Sequence, residues 1–179
     1  RMQEVGVGAD DVVLGLAASG TTPFTVAALE AARRLGALTI GIANNPGSRL
    51  LGVCDHPILL ETGEEPIAGS TRLKAGTAQK VVLNLFSTLV MVRLGRVYRG
   101  LMVHMQPTNA KLRQRAAQMV AVPAGCSEDA AAAAVAEADG DVKRAVLMAL
   151  GVPAAQAAAL LERHDGNLRA AIAEGAPRG

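Results

Sequence analysis

Aromatic residues are scarce in this sequence: 2% of 179 residues, made up of one Tyr and two Phe with no Trp. That scarcity excludes base-stacking platforms for single-stranded nucleic acid and aromatic walls for stacking sugar rings. Cysteine is nearly as rare, and Cys54 and Cys126 supply neither a disulfide framework nor a four-thiolate zinc site. Basic excess is missing too. Eighteen Lys and Arg face 16 Asp and Glu, a formal net charge of +2, which argues against a dedicated nucleic-acid binder. Arg1 to Asp10 lacks the apolar stretch of a signal peptide. The longest apolar run, Val81 to Val92, contains Asn84, Ser87 and Thr88 and falls short of the ~20 residues a bilayer requires. These absences lead us to expect a soluble, cytoplasmic protein without membrane or nucleic-acid partners. The chain starts at Arg1 without Met and enters a strand-like run within a dozen residues, so a piece of a longer polypeptide is expected.

What remains is apolar and built from small residues. Hydrophobic residues make up 50% and charged residues 19%, which is enough to form a core. Val12-Val13-Leu14-Gly15-Leu16 is a continuous apolar run, as a strand covered on both faces requires. Thr22 and Pro23 then suit the N-cap and first position of a helix over Phe24 to Leu35, ended by Gly36. Leu38 to Ala43 reads as a second strand, Asn44 to Ser48 as a turn, and Pro57 to Leu60 as a third strand. This alternation predicts an α/β fold with a parallel sheet flanked by helices. Only three strands are present, so the others are expected upstream or from another chain.

A long helix is predicted from about Ala75 to Leu94, an extended stretch over Leu101 to Met105, and a helix from Asn109 to Val120 capped by Thr108. Composition changes at Val122-Pro123-Ala124-Gly125, which places a boundary between a sheet domain over 1–121 and an all-helical subdomain over 122–179. The helical part carries an internal repeat. Ala138 to Val146 matches His164 to Ile172, about 26 residues later, each copy turning at Asp-Gly before Asp141 or Asn167 caps the next helix. The helix–Gly–helix pattern is a little like that of a ubiquitin-associated domain, and capping logic favours packing over a ubiquitin site.

Two loops concentrate hydrogen-bond donors. Ser19-Gly20-Thr21 lies between a buried strand and a helix N-terminus, where free backbone N–H groups and the helix dipole favour an anion. The same pattern also fits an ordinary small-residue turn. Gly69-Ser70-Thr71-Arg72-Leu73-Lys74-Ala75-Gly76-Thr77 sets two hydroxyls and two cations before a helix, with Ser70 and Thr71 suited to phosphate or sugar oxygens. The alternative is that Ser70 merely caps the helix and the cations are solvated, and the density of donors favours the functional reading over it. His56, His104 and His164 show no metal-ligand spacing, and no metal or cofactor is expected. Cys54 precedes Asp55-His56, and a nucleophilic Cys–His pair is not expected there. Glu61, Glu64 and Glu65 cluster after the third strand, with no local mark of an acid or base among them.

The segments Ala17 to Pro23, Asn45-Pro46-Gly47-Ser48 and Gly69 to Lys80 together resemble the N-acetylmuramic acid 6-phosphate etherases, members of the sugar isomerase (SIS) domain group related to the glucokinase regulatory protein. Leu101-Met102-Val103, Pro107 to Leu112 and the helical tail are similar to them as well. The resemblance implies a SIS-type α/β fold and a carbon–oxygen lyase. It would release D-lactate from N-acetylmuramic acid 6-phosphate, leaving N-acetylglucosamine 6-phosphate, in peptidoglycan recycling. It further implies a phosphorylated amino sugar held by Ser19, Gly20, Thr21, Ser70, Thr71 and Lys74, and a homodimer. The two glutamates that carry catalysis in the family lie in an N-terminal half, after a Gly-Thr-Ser-Gly loop, and neither segment occurs here. His104 stands where the family usually has an acid, and Gly63-Glu64-Glu65-Pro66 departs from the usual lead-in to the second loop. Two alternatives remain: a non-catalytic sugar-phosphate sensor, and a helical interaction module on an incomplete α/β half.

Overall fold

The computed structural model describes residue 2 and residues 4–176. Two compact units divide the chain, Arg1–Phe86 and Ser87–Gly179. In the first unit, β1 (Val12–Leu16), β2 (Leu38–Ala43) and β3 (His56–Leu59) form a parallel sheet in the order β1-β2-β3, with Leu14 opposite Ile40 and Ile42 opposite Ile58. Helix α1 (Pro23–Arg34) and the short α2 (Arg49–Val53) pack on this sheet. The α/β layering expected from the sequence, a three-stranded parallel sheet flanked by helices, is therefore present.

Small residues let the layers approach. A Cβ on Gly15 would lie 2.8 Å from the side chain of Leu29 on α1, and one on Gly41 would lie 2.7 Å from Cys54 Sγ. Leu29 is fully buried in a cluster with Ala17, Val26, Ala43, Leu50 and Cys54. Thr22 starts α1 without a side-chain capping bond, and the helix begins on Pro23, whose fixed φ is already helical. Helix α2 has no counterpart in the sequence reading, because five residues are too few to display a periodicity.

The amino end of β3 is tied to β2 by Asp55. Its Oδ2 accepts from the Thr39 amide at 2.9 Å and the Thr39 hydroxyl at 2.7 Å, while Oδ1 meets Arg33 Nε at 3.1 Å. In return the Asp55 amide donates to Thr39 Oγ1 at 3.0 Å. The Thr39 bonds foremost, assisted by Arg33, hold the Asp55 carboxyl below the usual carboxylate range.

Helix α3 (Lys74–Arg93) buries only Ala75. Val81, Leu85, Leu89 and Val92 are exposed along one stripe, and Leu83, Phe86, Met91 and Leu94 are exposed on its other sides. By length and composition it is the one helix among the described residues that reaches a membrane-spanning profile.

The second unit begins within α3, and after it comes a hairpin of β4 (Val97–Tyr98) and β5 (Leu101–Met102), turned by Arg99 and Gly100, both at positive φ. Helices α4 (Ala110–Ala124), α5 (Glu128–Glu137), α6 (Val142–Ala149), α7 (Ala154–Arg163) and α8 (Leu168–Gly175) follow. Asn109 caps α4, its Oδ1 accepting from Leu112 N at 2.9 Å, so the cap falls one residue after the expected Thr108. The composition change at Val122 marks the end of α4, which packs on α5 and α6 within this unit. Alanine dominates the core: Ala116, Ala131, Ala138, Ala145, Ala157 and Ala171 are fully buried with Val146, Leu147 and Leu160.

The repeat is visible as structure. Asp139-Gly140 and Asp165-Gly166 all have positive φ, and Asp141 and Asn167 then accept capping bonds at the starts of α6 and α8. Lys143, buried on α6, donates from Nζ to the Gly166 carbonyl, joining one copy of the repeat to the turn of the other. Burial is the main cause that pushes the Lys143 ammonium below its usual range.

Because Asp55 gains hydrogen bonds on folding, its folded pKa lies below its unfolded one. The stabilisation is complete above about pH 4 and is lost as the pH falls through the folded value. Asp55→Asn is expected to lower the thermal midpoint at pH 7 and to shrink the further drop between pH 4 and pH 2. Thermal scans across that range check this, and an undiminished acid-side drop would place the sensitivity elsewhere.

Candidate functional site at the carboxyl edge of the sheet

In a parallel sheet every strand delivers its chain to the same edge, and ligands of open α/β folds bind there. The loop after β1 holds Ser19, Gly20 and Thr21. Thr21 donates to Ser19 Oγ through its amide at 3.3 Å and its hydroxyl at 3.1 Å, so the two hydroxyls stand together. Gly20 has φ +68° and donates its amide to the Ala17 carbonyl at 2.9 Å. Its own carbonyl accepts from Leu50 N at 2.9 Å. A Cβ at Gly20 would collide with Ser48, whose Oγ is buried and has no hydrogen-bond partner. Gly20 is thus required twice, by its backbone angle and by the hydroxyl packed against it.

The second loop leaves the carboxyl end of β3. Ser70 closes a turn through its amide to the Ile67 carbonyl at 3.0 Å, and the Thr71 carbonyl accepts from Gly76 N at 2.8 Å. Thr71 is exposed and Ser70 half-buried. Lys74 begins α3, and its Nζ donates to the Glu64 carbonyl at 2.7 Å. The cation is therefore directed back to the loop that precedes the helix.

Ser70 does not cap α3. Glu65 does so from nine and ten residues upstream, its Oε2 accepting from Lys74 N at 3.1 Å and its Oε1 from Ala75 N at 2.9 Å. These two N–H groups, more than the Lys74 charge, hold the Glu65 carboxyl below its usual range. The sequence carried no sign of this, because the capping carboxylate lies outside the usual N-cap window.

A second residue that the sequence reading treated as a turn proves central. Asn44, at the carboxyl end of β2, is only 8% exposed. Its amide nitrogen Nδ2 donates to the Leu60 carbonyl at 3.0 Å and to Thr62 Oγ1 at 3.3 Å. Its Oδ1 accepts from Gln79 Nε2 on α3 at 2.9 Å, and its backbone N–H donates to the Ala18 carbonyl at 3.0 Å. Among the described residues no hydrogen bond joins the Ser19 loop directly to the Ser70 loop. The link between them runs through Asn44.

Other groups are occupied or apart. Cys54 Sγ lies 3.6 Å from the Leu51 carbonyl inside the core, and no contact joins it to the exposed His56. Among the described residues no group of three His, Cys, Asp or Glu side chains is placed to hold a metal ion. A cavity of about 1140 Å³ lies in the helical unit, lined in part by His104, Arg113, Asp129, Asp139, Asp141 and Lys143. None of the six candidate residues lines it. Its best-defined charges already serve the fold, since Asp141 caps α6 and Lys143 binds Gly166.

A parallel α/β sheet with paired hydroxyl loops at its carboxyl edge defines a class, and residues 6–89 match the SIS domain family. That stretch is a SIS domain. The chain as a whole resembles the N-acetylmuramic acid 6-phosphate etherases. It is 51% identical over 175 residues to the etherase of Deinococcus radiodurans, covering 97% of this chain and 57% of the relative. It is 50% identical over 175 residues to that of Streptomyces avermitilis, covering 97% and 56%. With the Symbiobacterium thermophilum etherase it shares 58% identity over 140 residues, 78% of this chain and 47% of the relative. The chain spans about half the length of the curated relatives it matches.

Two glycines separate conformational strain from collision. Gly47 has φ +65° with open space around it, so Gly47→Ala bears only left-handed strain of about 1–2 kcal/mol. Gly20→Ala is expected to cost measurably more in denaturant unfolding, because it must also displace Ser48. Equal losses would show that the Ser48 contact is immaterial.

Proposed function

We propose that this chain supplies the sugar-phosphate-binding part of an N-acetylmuramic acid 6-phosphate etherase. The complete enzyme releases D-lactate from the substrate and leaves N-acetylglucosamine 6-phosphate, in amino-sugar and peptidoglycan recycling. The observation that carries this reading is the pair of hydroxyl loops at the carboxyl edge of a SIS domain, in a chain half identical to named etherases. Ser19, Gly20 and Thr21 form one side of the cradle and Ser70 and Thr71 the other, while Lys74 supplies positive charge beside the second loop. Hydroxyl and backbone donors suit the oxygens of a phosphate, and the start of α1 adds a favourable dipole. Binding at the phosphate holds the reacting part of the sugar in place.

Cleavage of the ether requires a base for the proton at C2 and an acid for the lactate oxygen. Of the carboxylates that follow β3, Glu65 is a poor choice, because both its oxygens are held at the start of α3. The resemblance to the etherases assigns the acid and base to glutamates of an N-terminal half, outside this chain. No cofactor or metal takes part.

The exposed apolar side chains of α3 support a homodimeric assembly, because an apolar surface of this extent is normally covered. Lys80, Asn84, Ser87 and Thr88 within it, and the Gln79 bond to Asn44, favour a protein interface over a bilayer, in keeping with a cytoplasmic enzyme. The helical repeat from Val122 onward is assigned to packing. A second reading, a sensor that binds sugar phosphate without turnover, is favoured by the commitment of Glu65 to capping.

D-lactate release from N-acetylmuramic acid 6-phosphate is measured for this polypeptide and for its complete coding sequence. Release by the complete form alone supports the etherase and places the carboxylates outside these residues. Binding of N-acetylglucosamine 6-phosphate without release by either form supports the sensor. In whichever form binds, Ser19→Leu is expected to weaken affinity by about tenfold or more, the worth of hydrogen bonds to a charged group. Unchanged affinity would remove the first loop from the site.

A further inference from the structure

The two loops proposed to hold the sugar phosphate share no direct bond, yet a bidentate cradle works only if their separation is held. Asn44 is placed to hold it. Its backbone N–H grips the Ala18 carbonyl, immediately before Ser19. Its Nδ2 grips the Leu60 carbonyl and the Thr62 hydroxyl, at the root of the segment that runs to Glu65 and Ser70. Its Oδ1 receives Gln79 Nε2 from α3, the helix whose first N–H groups Glu65 caps. Both protons of Nδ2 are used, so the amide cannot rotate without breaking bonds on two sides. Burial makes each of those bonds costly to leave unmade.

We propose that Asn44 is a positioning residue that sets the Ser19–Thr21 loop against the Ser70–Thr71 loop, with Gln79 and Thr62 as its side-chain partners. The inference rests on the sugar-phosphate reading of the two loops. A primary amide does this without a titratable group, so this link between the loops carries no protonation step of its own. Asn44 touches no substrate atom and takes no part in proton transfer. Its effect falls on ligand affinity and leaves the chemical step unchanged.

The test removes one bond at a time while conserving volume. Gln79→Met and Thr62→Val are made in the complete coding sequence, leaving the buried Asn44 in place so that the fold survives. Three quantities are measured: the Kd for N-acetylglucosamine 6-phosphate by calorimetry, KM and kcat for D-lactate release, and amide hydrogen exchange over residues 17–21 and 60–71. Each variant is expected to raise Kd and KM about three- to tenfold, the worth of one neutral hydrogen bond, with kcat within about twofold of the parent. Exchange should quicken in both loops, including the one that the altered residue does not touch. A lower thermal midpoint with unchanged Kd, KM and exchange would overturn the proposal and leave Asn44 as a purely structural group. If the parent itself neither binds the sugar phosphate nor releases lactate, the functional reading fails. The exchange data then decide the coupling alone: faster exchange in both loops upholds it, and unchanged exchange overturns it.

Discussion

A primary amide withdrawn from water must find partners for two donors and an acceptor, and at the carboxyl edge of this sheet Asn44 finds them on two segments, the loop after β3 and helix α3. The rest of the first unit is arranged around that requirement. The parallel ladder brings the ends of β1, β2 and β3 to one edge, and the end of β2, between the other two, is where a single residue reaches both neighbours, with its backbone N–H towards β1 and its side chain towards β3. The loop after β1 is fastened from below by the Asn44 backbone and from the side by Leu50. The loop after β3 is fastened at its root by Asn44 and near its far end by Glu65 on α3.

Much of this arrangement was legible in the sequence, for physical reasons that differ by element. β1 and β2 could be read directly because Val12–Leu16 is a continuous apolar run and Leu38–Ala43 is broken only by Thr39, although β1 itself is mostly half-buried. The Asp-Gly turns of the repeat could be read because left-handed backbone and helix capping demand particular residues locally. What escaped were the contacts made by polar side chains over distance. Glu65 caps a helix nine residues away, and Asn44 meets Gln79 across 35 positions. Helical and strand periodicities report which face is buried, and neither reports which polar group crosses a loop to satisfy another. The hydroxyls of Ser19, Thr21, Ser70 and Thr71 were conspicuous by their density. The groups that hold them in place look ordinary in a sequence.

Helix α3 sets a different kind of constraint. Its cap and its Gln79 belong to the first unit, while the apolar side chains from Val81 onward lie exposed on every side. Chemistry at one end and bare surface at the other give the helix two separate reasons to keep its sequence. The polar end orders the loop beside it, and the apolar end requires cover. This fits a chain that spans about half the length of its relatives.

The alanine-rich core of the second unit has a thermal consequence. A buried methyl group brings helices close together but withdraws little apolar area from water compared with a leucine or phenylalanine side chain. The heat-capacity increment of unfolding follows the apolar area exposed. A core in which Ala116, Ala131, Ala138, Ala145, Ala157 and Ala171 stand among the buried Val and Leu side chains therefore releases a smaller increment per residue than one packed with leucine throughout. Its stability curve is broad and shallow, so the helical unit varies less in stability with temperature than a leucine-packed bundle of equal length.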